Sequence, residues 1–231
     1  MGHCTYCGSE AGKLTCEHII SRAVCHILWG KPTRNRAESQ QFPNGCVLDL
    51  EQKIKDVCAK CNSQLSIYDE AGKRFATIIR KIDDLRGAVL PLDNDIVGWL
   101  VKTHCNIIRT AKGNFPISKN IYDALINHQP LPQNLFLLLF AGCIATQSEL
   151  QKLRGGTLPY ALQRVTHDQD NQIILSHLRL KLVDTCFILP SNNKYKNVAN
   201  RTDSFLTKVK FSCTVRISPT LIQQGSLSLS S

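Results

Sequence analysis

Two C-x-x-C pairs stand in the first third of this chain, Cys4/Cys7 in "CTYCG" and Cys58/Cys61 in "CAKCN". A two-residue spacer lets both thiolates of a pair reach one ion from a tight knuckle. Two knuckles complete a tetrahedral four-thiolate zinc site with no open position, which makes such a metal structural. Gly8, directly after Cys7, suits the turn of the first knuckle. Fifty residues separate Cys7 from Cys58, so everything between must be an excursion that returns to the same place. Either pair alone is equally compatible with a redox motif, whereas two pairs in one short basic segment favour zinc. Cys16 is a spare thiol that could replace one of the four.

Inside the excursion, "KLTCEHII" sets Glu17 beside His18, and Asn62 follows the last cysteine of the second pair. A lone histidine is more often packed than functional, and a lone glutamate more often solvated. Here both stand where one knuckle passes into the loop, followed by the apolar Ile19 and Ile20. A side chain attached to a metal knuckle is held rigidly, as a catalytic group must be.

As a set, "CTYCG", "LTCEHIIS" and "VCAKCNSQLS" resemble the HNH endonucleases over roughly residues 4–70. The resemblance implies a ββα-metal fold flanked by a structural zinc on two C-x-x-C pairs. It also implies hydrolysis of phosphodiester bonds in nucleic acid with one divalent cation. Carried over, His18 is the general base, Glu17 the adjacent acidic metal ligand, and Asn62 the last-letter metal ligand. The family's middle asparagine pins the long loop a few residues before the second knuckle. This chain reads "EQKIKDVC" there, with Asp56 as the nearest polar substitute and a further candidate ligand, while Asn44 lies far upstream. Ser21 stands where proline often follows the histidine motif.

That chemistry suits the residue types. A neutral histidine, with an ordinary pKa of about 6.5, accepts a proton from water at physiological pH. A cation held by one carboxylate and one amide keeps charge and open positions for phosphate oxygens. Softness sorts the metals: thiolates take Zn2+, and a Glu/Asn oxygen site suits Mg2+ or Mn2+. Lys31, Arg34, Arg36, Lys53 and Lys55 surround the motif in sequence. They are candidates to hold a phosphate backbone, or solvated loop charges with no partner.

The bulk properties are permissive. The 231 residues carry a formal charge of +10, with a pI of about 9.1, which favours an anionic partner, nucleic acid and DNA first. No stretch approaches the roughly 18 apolar residues of a membrane span, "LFLLLFAGCIA" being too short, and the first residues lack the basic and apolar regions of a signal peptide. A cytoplasmic protein is expected, with no membrane partner. Of its 11 cysteines, Cys105, Cys143, Cys186 and Cys213 lie in apolar stretches and read as core residues, while Cys25 and Cys46 are open.

The expected fold class is α+β, in two domains. An N-terminal module spans residues 1–72, and a helical, then β-rich region of unassigned role spans 73–231. The polar stretch 29–45 reads as a long loop. Phe75, Ile78, Ile79, Ile82 and Leu85 recur at helical spacing. A second helix runs through 93–113, started by Asp93 or Asn94, and a third follows Ser118. "NLFLLLFAGCI" is strand or helix. "QIILSHLRLKLVDTCFILP" and "FLTKVKFSCTVRIS" alternate as strands, and the tail "QQGSLSLSS" is expected to fray. His104 reads as a core histidine, and Glu70 as an early helical acid. Beside the metal-dependent nuclease stand two rivals: a zinc module that holds nucleic acid without cutting it, and the nuclease subunit of a bacterial defence complex with a protein partner.

Overall fold

The computed structural model describes residues 2–30, 40–41, 47–48, 53–81, 89–90, 92–110, 117–132, 135–141, 163–167, 173–180, 183–190, 215–217 and 227–228. They form an α+β architecture. Strands β1 (Gly2–His3) and β2 (Glu10–Ala11) pair antiparallel around the first knuckle. Strand β3 (Leu14–His18) leads into α1 (Arg22–Trp29), where Ser21 Oγ accepts from the N–H of Val24 at 3.5 Å and Gly30 ends the helix at φ +80°. Sequence periodicity had not marked this helix. β4 (Gln40–Gln41), within the stretch expected as loop, pairs with β5 (Val47–Leu48) just beyond it. Strand β6 (Lys53–Cys58) then returns to pair antiparallel with β3, followed by α2 (Ala59–Gln64) and α3 (Ser66–Lys81).

The remainder comprises β7 (Val89–Leu90), α4 (Asn94–Thr110), α5 (Lys119–Ile126), β8 (Phe136–Ala141), β9 (Gln163–His167), β10 (Ile173–Leu180), β11 (Val183–Pro190), β12 (Val215–Ile217) and β13 (Leu227–Ser228). Strands β8 to β12 make an antiparallel sheet in the order β12-β8-β11-β10-β9. The ambiguous apolar run thus resolves as a strand, with Leu137 and Leu139 buried at alternate positions. The tail departs from expectation: Leu227 and Ser228 pair with Leu90 and Val89. A two-residue pairing needs only backbone groups, which composition does not reveal. Ile82, Leu85, Cys46, Cys143 and Cys213 lie outside the described residues. Among the described residues, no helix is long and apolar enough to cross a membrane.

Helix α4 is the hub. It packs on α3 on one side and on β9, β10 and β11 on the other, and residues 96–108 are all buried. A helix buried all round has no solvent face, so its polar side chains must find partners inside the protein. Toward the sheet, His104 bonds Ser176 Oγ at 2.8 Å and Thr185 Oγ1 at 3.0 Å and stacks on Phe187, as a satisfied core histidine. Asp93 is the start signal, its Oδ1 accepting from the N–H of Ile96 at 2.8 Å.

The boundary expected after residue 72 falls within α3, which runs through it. There α3 and α4 approach closely on glycines. A Cβ on Gly72 would lie 2.5 Å from the Trp99 indole, and one on Gly98 would lie 2.2 Å from the Tyr68 ring. Tyr68 is buried and its hydroxyl donates to the Leu125 carbonyl at 3.1 Å, so the ring cannot simply swing away. Gly98→Ala should therefore destabilise the fold. Overpacking costs about 1–3 kcal/mol and outweighs the roughly 1 kcal/mol of helix propensity gained. Urea unfolding should show a lowered midpoint at unchanged slope.

Candidate functional site

The two C-x-x-C pairs converge. The first knuckle is a turn in which the Gly8 N–H donates to the Cys4 carbonyl at 2.8 Å, a closure helped by the positive φ of Gly8, +72°. Cys58 ends β6 and caps α2, and Cys61 sits in the first turn of that helix. The Thr5 N–H donates to the Asp56 carbonyl at 2.9 Å and the Cys58 N–H to Cys4 Sγ at 3.3 Å, so the knuckles are fastened by backbone as well as by sulfur. All four Sγ atoms lie within 4.8 Å of one another, with Cys7 and Cys58 at 3.9 Å. A zinc tetrahedron with bonds of about 2.3 Å has edges of roughly 3.8 Å, so the cluster could hold a metal such as zinc. Hydrogen bonds from Ser9 draw the Cys7 thiol down to about 6, whereas burial pushes Cys61 well above the usual thiol range. Cys16 is exposed and outside the cluster. Cys25, Cys105 and Cys186 are buried.

Beside the cluster lies a cleft of about 340 Å3 whose walls include Glu17, His18, Arg22, Asn62, Asp69 and Glu70. Chain folding thus joins Asn62, from α2, to the Glu17-His18 pair at the end of β3. The register between β3 and β6 slips by one residue here: Thr15 faces Val57, but Glu17 faces Ile54. Such a bulge re-aims the side chains that follow it. Cys16 is left exposed while Glu17 is buried, 4% accessible.

Both oxygens of buried Glu17 face cations, Oε2 through a hydrogen bond and Oε1 through ion pairing alone. Its Oε1 lies 3.0 Å from Lys102 Nζ and its Oε2 3.3 Å from the Arg109 guanidinium. Lys102, 2% accessible, also reaches Asp69 Oδ1 at 2.9 Å, and Arg109 reaches Asp56 Oδ2 at 3.3 Å. Burial opposes both positive charges, but it is outweighed. Glu17 and Asp69 raise Lys102 above the usual lysine range, and the neighbouring Asp56 and Glu17 carboxylates raise Arg109. Arg109 also lies over the ring of Tyr6, 5.0 Å from its centroid, and burial raises the Tyr6 hydroxyl so that it stays neutral.

The candidate ligands therefore separate. Glu17, His18 and Asn62 share the cleft, whereas Asp56 is not among its walls and turns to Arg109 and Thr5. Glu70 lines the cleft while paired with Lys73. Lys53 and Lys55 are exposed on β6, with Lys53 directly across from His18. Lys31, Arg34 and Arg36 lie outside the described residues. Sequence reasoning missed Asp69 and the helix residues Lys102, Asn106 and Arg109. The last three recur at one-face helical spacing within the apolar run "VKTHCNIIR", a mark of buried polar groups that seek partners. Comparison with protein-family models, curated proteins and solved structures finds no match for this chain.

Two predictions follow from this geometry. The purified protein should carry about one zinc per chain, and Cys61→Ser should release it and lower the melting temperature; elemental analysis and calorimetry check both. Lys102→Met should destabilise the fold by removing one of the two cations beside buried Glu17, with about 3–5 kcal/mol as the ceiling set by a fully broken buried pair, and the double variant with Glu17→Gln should regain part of it. Because Lys102 is raised in the folded state, its contribution is complete at acid and neutral pH. It fades only as pH climbs past the ordinary 10.5 through the raised value. That alkaline loss of stability should be missing in Lys102→Met, as denaturation across the pH range would show.

Proposed function

We propose that this chain is an HNH-type endonuclease hydrolysing phosphodiester bonds in nucleic acid, DNA first, with residues 4–70 as its ββα-metal module. The carrying observation is the shared cleft, which gathers Glu17, His18 and Asn62 from two distant stretches of chain beside the cysteine cluster. The antiparallel β3–β6 pair followed by α2 supports a ββα reading in which α1, β4 and β5 are an insertion between the two strands.

In this reading His18 takes a proton from water, the water oxygen bonds to phosphorus, and the P–O3′ bond breaks with the electron pair leaving on the 3′ oxygen. Arg22 at the cleft wall and Lys53 across from His18 offer charge to the neighbouring phosphates. Oxygen donors line the same cleft, as a hard cation needs. Mg2+ or Mn2+ binding through one or two carboxylates with water and phosphate would use Glu17 and Asn62, with Asp69 beside them. When bound, that cation supplies positive charge to the phosphoryl oxygens and the leaving oxygen. The chain's own part is to fix His18, to hold the carboxylates in place against Lys102 and Arg109, and to keep both rigid against the knuckle.

One observation favours the rival reading, a zinc module that binds nucleic acid without cutting it: both oxygens of Glu17 are already met by buried cations. Plasmid cleavage with and without Mg2+ or Mn2+ separates the two. In the nuclease, His18→Ala should keep zinc, melting temperature and affinity for DNA while the cleavage rate falls by about 10²–10⁴. Wild-type cleavage should also decline toward acid pH, because imidazolium cannot accept the proton, and that limb should vanish from the residual activity of the variant. Undiminished cleavage by folded His18→Ala would remove this site from the chemistry.

A further inference from the structure

We infer that Asn106, on a helix outside the segment that carries the motif, is a positioning residue for His18, which rests on the reading of His18 as proton acceptor. Asn106 is completely buried. Its Nδ2 donates to two consecutive carbonyls, His18 at 3.2 Å and Ile19 at 3.5 Å. Its Oδ1 accepts from the Tyr6 hydroxyl at 3.4 Å and from the Arg109 guanidinium. Donors and acceptors of the amide are thus both used. A flipped amide would set oxygen against two carbonyls and nitrogen against two donors, so only one orientation is satisfied.

These carbonyls lie where the chain needs holding. The β3–β6 ladder ends at the His18–Lys53 pair, and α1 starts only after Ser21. Between them Ile19 and Ile20 are buried, and buried carbonyls without partners are costly. Which way an imidazole points depends on its own backbone torsions, so a bond to the His18 carbonyl constrains the ring as well as the chain. The other end of the contact reaches Tyr6, which lies between Cys4 and Cys7. Asn106 therefore ties the His18 strand end to the first cysteine knuckle, from a helix that Phe75 and Trp99 packing holds against α3.

Asn106→Asp is the sharp variant. It keeps the size and the acceptors for Tyr6 and Arg109, but it turns an oxygen toward the two carbonyls. In full-length, zinc-loaded protein with labelled histidines, the His18 ring resonance should move and broaden. The His104 resonance, held by Ser176 and Thr185, should stay. Plasmid cleavage should lose kcat on the order of 10²-fold, the scale of a misplaced reacting group, with little change in KM. In a His18→Ala background the same substitution should cost nothing more, since its effect passes through His18. An unmoved His18 resonance in the folded variant overturns the inference, as does an equal loss of kcat with and without His18. Should Asn106→Asp not fold, Asn106→Ser retains one donor and should move His18 less, in the same direction; no movement overturns the inference. A wild-type protein that cuts no plasmid ends the nuclease reading alone, and the histidine spectrum still decides the role of Asn106.

Discussion

A buried carboxylate needs positive charge beside it, and Glu17 finds two cations, both on α4. Taking any of these charges out of solvent costs several kcal/mol each, which only close pairing offsets. The pairing is mutual: Lys102 answers Asp69 of α3 as well as Glu17, and Arg109 answers Asp56 of β6 as well as Glu17. Five charges from four elements thus meet in one arrangement, with Asp56 and Asp69 still partly open to solvent. That arrangement sets the spacing of β3, β6, α3 and α4, and through them the cleft.

The same helix meets a second set of demands on its far side. His104 needs Ser176 and Thr185 from the five-stranded sheet, as Asn106 needs the carbonyls beyond β3. Because α4 is buried on every side, these contacts are not optional additions to an apolar core. They couple the sheet to the cleft mechanically, through a rod that is satisfied in one rotation about its axis. The glycine contacts with Trp99 and Tyr68 act in the same direction, since close packing leaves no slack for α4 to slide on α3.

The cysteine cluster and the charge network divide the work. The cluster fastens the β1–β2 turn to the start of α2, which positions Asn62 one residue beyond Cys61. The network holds Glu17, and with it the strand end that bears His18. Tyr6 joins the two, bonded to Asn106 and covered by Arg109 while its chain neighbours include the knuckle cysteines. A cleft built in this way presents a histidine, an amide and carboxylates on elements fixed from several sides.

Local rules were enough for much of this in the sequence. The C-x-x-C pairs are read from spacing because knuckle geometry is local. The starts of α4 and α5, and the alternating strands β10 and β11, are likewise local patterns, and the buried Cys105, Cys186 and His104 follow from apolar neighbours. Helix α1 and the β13 pairing were not legible, the first for want of a long periodic stripe and the second because it rests on backbone bonds between distant segments. Glu17 shows the limit most clearly. Its neighbours in sequence identify a carboxylate next to a histidine, but not where the carboxylate points. Only the tertiary structure turned it inward, because a bulge in β3–β6 and two cations some ninety residues away meet at that point. Residue types and short spacings belong to the chain, whereas the partners of a buried charge depend on which distant elements pack against it.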